Sequence, residues 1–145
     1  MESHISEIAR VIQLAVAPVF LLTAIATLVA TLNNRLGRIV DRRRALLERP
    51  IENRFAEEAN TTRIELALLS RRVRLIYLAI FSAVLGALFI CLVVASAFLA
   101  ALISYDLSRL VAGLFILSML ALVVALSLFL REVYLAVSHS THANR

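Results

Sequence analysis

Lysine is absent from this chain of 145 residues: all 15 basic side chains are arginine, set against ten acids, for a net charge of +5. Two readings of that bias stand: a genome that favours arginine, or selection for planar forks that grip carboxylates and phosphates. Cysteine occurs once, so no disulfide can form within the chain. That Cys91 sits in an apolar run and reads as a small hydrophobe. Three glycines and two prolines exclude a collagen-like fibre. Charged residues make up only 17% and hydrophobic ones 61%, which excludes a disordered chain. With a mean hydropathy of +0.90, an ordinary soluble domain is excluded too. A chain of this size has too little interior to hide so much apolar surface, and a membrane is the solvent that accepts the rest.

Charge is missing from three long runs. Val11–Leu32 has 22 residues, Leu75–Ile103 has 29 and Leu110–Leu130 has 21. As helices they reach about 33, 43 and 31 Å, against a hydrocarbon core of about 30 Å. The first and third fit as spans, and the second tilts or projects beyond the core. Glu2 and Glu7 precede the first run, where a signal peptide needs a positive start, so it is kept as a mature span. The expected fold is all-α: a single membrane domain over 1–145 with three transmembrane helices, a long Arg-rich cytoplasmic helical hairpin at 33–74 between the first and second, and a C-terminal tail at 131–145, disordered about His139 and His142.

Eleven of the 15 arginines fall between Asn33 and Arg74. The positive-inside rule places that segment in the cytoplasm, with the N-terminus and the turn Ser104–Arg109 outside and the C-terminus inside. Tyr77, Tyr105 and Tyr134 lie near the expected interfaces, where amphipathic rings settle.

The arginine-rich segment has a helical period. Leu32, Leu36, Ile39, Arg43 and Leu46 step by four and three, and so do Phe55, Ala59, Thr62, Leu66, Leu69, Val73, Ile76 and Ile80. These are coiled-coil-like seams. They predict two helices that leave the membrane and pack antiparallel, with the turn at Glu48–Glu52 and Pro50 as breaker. A turn there pairs residues whose numbers sum to about 100. Arg35 then faces Glu65, and Arg42, Arg43 and Arg44 face Glu57 and Glu58. Arg35, Arg38 and Arg42 share one helix face, and Asp41 can pair along the helix with Arg38 or Arg44. Asn34 sits at the interface, and Gly37 allows a close approach or a bend. Two readings follow. In one, Arg35, Arg38, Arg42, Arg71, Arg72 and Arg74 hold anionic lipid head groups or a partner's acids. In the other, which is preferred, these charges tie two helices together, with Asn34, Asp41, Arg43, Arg44, Glu57, Glu58 and Glu65 in the network.

Within the spans, Thr23, Thr27 and Thr31 repeat every four residues. Such hydroxyls bond their own helix or a neighbour, or else line a wet path; the expectation is that they face another helix. Ala79, Ala83 and Ala87, with Ser82 and Gly86 offset, allow close helix contact, as do Ala97 and Ala101, then Ala121 and Ala125. Pro18 is expected to kink the first span.

No Asp, Glu, Lys, Arg or His falls within a run, which argues against a pump, a proton-coupled carrier or an intramembrane hydrolase. There is no Gly-rich phosphate loop and no cysteine pair. His139 and His142 are two ligands at most, and a metal needs more. No cofactor and no nucleic-acid partner is expected, and the chain is not expected to be an enzyme.

The stretch Asn33–Glu48, which contains NRLGRIVDRRRALLE, together with the early Pro18-Val19-Phe20-Leu21-Leu22 run, resembles the bacterial family termed domain of unknown function 2721. The resemblance implies a small multi-span bacterial membrane protein and no particular activity. The expected role is therefore a non-enzymatic helical module of the inner membrane, a homo-oligomer or a subunit of a complex. The alternative is a homo-oligomeric passive channel lined by the Thr23, Thr27 and Thr31 face, with the arginines favouring anions at its inner mouth.

Overall fold

A computed structural model describes residues 2–48, 56–103 and 106–142. They form three helices: α1 (Glu2–Leu47), α2 (Ala56–Ile103) and α3 (Ser108–His142). With 46, 48 and 35 residues, they are about 69, 72 and 52 Å long. Each contains a stretch long and apolar enough to cross a membrane, at Val16–Leu47, Thr62–Ile103 and Ser108–Val137. α1 and α3 continue past the ends of their apolar runs and α2 begins well before its own, because leucine, alanine and arginine all favour helix. Pro18 lies inside α1, which runs through it. The expected tail is corrected in the same way: α3 continues from its span through Arg131 and Glu132 to His142. The proposed turn at Pro50, with Phe55, and Tyr105 lie outside the described residues.

The entry to α3 has a local cause. The Asp106 carboxylate accepts the Ser108 backbone N–H at 3.0 Å, satisfying one of the free donors of a helix start. The Ser108 side chain and backbone together hold the Asp106 carboxyl below its usual value.

A seven-residue ladder organises the packing. Its rungs are Ile25, Leu32 and Ile39 on α1, Leu69, Ile76, Ala83 and Ile90 on α2, and Ser118, Ala125 and Glu132 on α3, and α2 buries Leu75, Ala79, Gly86, Val93 and Ser96 as well. A strict repeat of seven keeps one seam turned toward a neighbour, as in coiled coils. Ile25, Ala83 and Ala125 meet in one cluster, while Leu32, Ile39, Leu69, Ile76 and Ala79 form another that Leu128 and Phe129 join from α3. Positions rising along α1 meet positions falling along α2, so these helices are antiparallel, and α3 runs parallel to α1. The middle helix, α2, packs against both others.

The expected seams coincide with this interior, with Leu32, Ile39, Leu69 and Ile76 buried and Leu36, Leu46, Leu66 and Val73 half-buried. Arg43 is exposed. The small residues of α2 behave as their spacing implies. Ala79 and Ala83 have no exposed surface, and Gly86 lies where a Cβ would come within 3.3 Å of Leu122 and 3.4 Å of the Ser118 carbonyl. The close approach lets the buried Ser118 hydroxyl donate to the Gly86 carbonyl at 2.9 Å. At Gly37 nothing lies within 4 Å of an added Cβ, so no helix approaches there.

Candidate functional site

The ladder on α3 ends in a charge. Glu132 occupies the seam position seven residues after Ala125, and its side chain is only 1% exposed. Three residues beyond the buried Leu32, α1 brings Arg35 to it, and four residues before the buried Ile76, α2 brings Arg72. Arg35 donates from Nη1 to Glu132 Oε2 at 2.8 Å, and Arg72 from Nη2 to Oε1 at 2.7 Å. One carboxylate thus takes a guanidinium from each of the other two helices. Arg35 also lies over the Phe129 ring, 5.2 Å from its centre, a cation–π contact that holds the side chain toward α3.

Farther along α1, Arg42 donates from Nε and Nη2 to Glu65 Oε1, at 3.0 and 2.6 Å. The expected partner of Glu65 was Arg35, so the register of α1 against α2 is shifted. The numbers of the observed pair sum to 107, one heptad from the expected 100. Arg44 pairs with Glu48, the residue after the end of α1, at 3.6 Å. The side chains of Glu57 and Glu58 lie outside the described residues. Asn34, Asp41 and Arg43 are exposed and make no interhelix bond with a described residue.

Arg35, Arg38, Arg42 and Arg72 line a cleft of about 310 Å³, completed by Ile39, Leu69 and Glu132. A groove lined by Arg42, Ala45, Leu46 and Glu65 lies beside it. Arg71 and Arg74 are exposed and line neither. Arg38 makes no ion pair with a described residue, and the buried Arg72 Nε finds no acceptor among them. Both Glu132 oxygens are engaged, so the cleft offers guanidinium donors, which bind oxyanions through paired N–H groups. Among the described residues, no group of three or more His, Cys, Asp or Glu could hold a metal ion.

The threonine stripe is placed differently from expectation. Thr23, Thr27 and Thr31 are exposed, and each donates to the carbonyl four residues back, on Val19, Thr23 and Thr27, at 3.3, 3.0 and 2.9 Å. Within the chain they face no other helix. Of the small residues offset from the α2 alanines, Ser82 is half-buried and Gly86 is buried.

Sequence reasoning missed Glu132 and Ser118. Glu132 stands two residues beyond the third apolar run and was absorbed into a tail. Its signal is depth: Arg35, Arg72 and Glu132 all lie two or three residues outside an apolar run, at ends the topology brings together.

No curated protein and no solved structure matches the chain. A family model described as a protein of unknown function, DUF2721, matches residues 15–142, a stretch that includes all three membrane-length helical segments and every residue of the ion-paired layer. The chain belongs to the DUF2721 family.

Proposed function

We propose that this protein is a non-enzymatic three-span module of the bacterial cytoplasmic membrane, whose arginine-rich helical arms stand at the inner surface and engage the phosphates of anionic lipids. The observation that carries this reading is the level of the ion-paired layer. The three apolar runs end at Leu32, begin at Leu75 and end at Leu130, and the layer of Arg35, Arg72 and Glu132 lies just outside all three. That is the depth of lipid head groups. At and beyond it Arg38, Arg43, Arg63, Arg71, Arg74 and Arg131 are exposed. Each basic residue near an anionic leaflet is worth about 1 kcal/mol of attraction. The positive-inside rule supports the cytoplasmic assignment of this end, with the N-terminus outside and the C-terminus inside.

Guanidinium groups suit binding rather than general acid–base work, since arginine stays protonated in proteins. Assembly into a homo-oligomer or with other subunits belongs to the same reading, because each span leaves most of its residues unburied within the chain.

The test is lipid-dependent stability. Purified protein in a neutral detergent should melt at a higher temperature with added phosphatidylglycerol than with phosphatidylcholine. Equal stabilisation by both would reject lipid binding and turn the search to an acidic protein partner. Orientation is checked in a Cys91→Ala background: Ser108→Cys should react with a membrane-impermeant thiol reagent from outside and Ala45→Cys should not. The reverse pattern overturns the topology.

A further inference from the structure

We infer that the cleft lined by Arg35, Arg38, Arg42 and Arg72 is a discrete binding site for one phosphate group, with Arg38, Arg42 and Arg72 as its ligands and Glu132 as the frame that positions them. This deepens the lipid reading and rests on it: diffuse attraction needs only exposed charge, whereas a site needs convergent donors in a concave space.

The charge balance comes first. Four arginines line or flank the cleft, and two carboxylates, Glu132 and Glu65, bind three of them. Two positive charges remain uncompensated. That matches a phosphate group, which carries one charge as a diester and up to two as a monoester or free ion.

The donors come second. Arg38 has no acid partner among the described residues, and the Arg72 Nε is buried without an acceptor. Arg72 lines the cleft, and its guanidinium keeps donors that Glu132 does not take, which an oxyanion in the cleft meets beside Arg38. Arg72 is already fixed through Nη2 on Glu132, and Arg42 through Nε and Nη2 on Glu65. Two of the three ligands are therefore held in place before any anion arrives, which lowers the ordering cost of binding. The volume of about 310 Å³ falls at the small end of the ligand-pocket range of about 300–1,000 Å³. Ile39 and Leu69 supply apolar lining beside the arginines, which suits the junction of a head group with its glycerol.

A lipid phosphodiester and a free phosphate share this chemistry, and the experiment separates them. The full-length protein in neutral detergent is titrated with short-chain phosphatidylglycerol, with inorganic phosphate and with short-chain phosphatidylcholine, and the melting temperature is followed. Arg38→Gln is the principal variant, because Arg38 is exposed and makes no ion pair with a described residue, so its loss leaves the fold intact. Arg63→Gln, exposed and outside the cleft, is the control. Saturable stabilisation by phosphatidylglycerol, weakened about tenfold in Arg38→Gln as expected for one lost charge-assisted hydrogen bond and several times less in Arg63→Gln, whose charge adds only diffuse attraction, establishes the site for a lipid phosphate. Saturation by inorganic phosphate alone with the same dependence on Arg38 establishes the site and removes the lipid. Equal weakening in both variants overturns the site and leaves the diffuse lipid reading standing. No response to either anion overturns both.

Discussion

Glu132 is the residue whose removal should cost this protein most. Replacing it by alanine strands two guanidinium groups that now share one carboxylate. The bonds at 2.8 and 2.7 Å are charge-assisted, at about 1.5–3 kcal/mol each, for a gross loss of about 3–6 kcal/mol. Arg35 and Arg72 keep 31% and 23% side-chain exposure, so both can turn partly toward water or head groups. That places the expected loss near 3 kcal/mol, the lower end of what breaking a buried ion pair costs. A loss of that size is roughly a hundredfold in the folding equilibrium. Reversible unfolding in mixed micelles of rising sodium dodecyl sulfate fraction, followed by circular dichroism, reads it directly. Glu132→Gln retains the shape and one acceptor oxygen and should lose about half as much, which serves if the alanine variant does not accumulate. The triple replacement Arg35→Met, Arg72→Met and Glu132→Leu should return to within about 1 kcal/mol of the parent, because an apolar triad of similar volume carries no desolvation cost. A Glu132→Ala protein within about 0.5 kcal/mol of the parent, the range of ordinary surface substitutions, would refute the reasoning.

The register of α1 against α2 is tested by exchanging Arg42 and Glu65: each single reversal should lose about 0.5 kcal/mol and the double reversal recover it, a small effect because the side chains are 68% and 34% exposed. The same cycle on Arg35 and Glu65 should show no coupling. At the α2–α3 contact, Gly86→Leu should cost about 1–3 kcal/mol by overpacking against Leu122, while Ser118→Ala should cost about 0.6 kcal/mol, the average for a membrane hydrogen bond; both are read by the same micelle titration. Replacing Thr23, Thr27 and Thr31 together by valine should leave stability within about 0.5 kcal/mol, since the hydroxyls are exposed and bond only their own helix. A fall in oligomeric state by light scattering would show instead that this face meets another copy.

The apolar runs and the two seams were legible in the sequence because both rest on period and hydropathy. The buried ladder of Leu32, Ile39, Leu69 and Ile76 is what those seams describe. Their weakness is the same periodicity: a pattern that repeats every seven residues looks identical when slid by seven. Choosing Arg35 over Arg42 as the partner of Glu65 was therefore a choice between two equally good alignments, made by the assumed position of a turn. The ion-paired layer was half legible. Arg35 and Arg72 were singled out as arginines at the membrane edge, but the acid that gathers them sits on the third helix, and nothing local at Glu132 distinguishes it from a surface glutamate. The threonine stripe meets no helix within the chain, and chemistry explains how it stands there: a hydroxyl in a helix finds an acceptor on its own preceding turn.

The convergence of Arg35 and Arg72 on Glu132 also bears on how the protein is made. The chain is synthesised from its N-terminus, so α1 and α2 are in the bilayer before residue 132 leaves the ribosome. Until then two guanidinium groups stand at one place in the nascent bundle with no carboxylate between them, and their repulsion keeps the first two spans from closing fully at that level. Insertion of the third span delivers the missing negative charge, and only then does the bundle lock. A product truncated before Glu132 keeps an open, unneutralised pair of arginines at the membrane surface, which separates finished chains from unfinished ones by electrostatics alone.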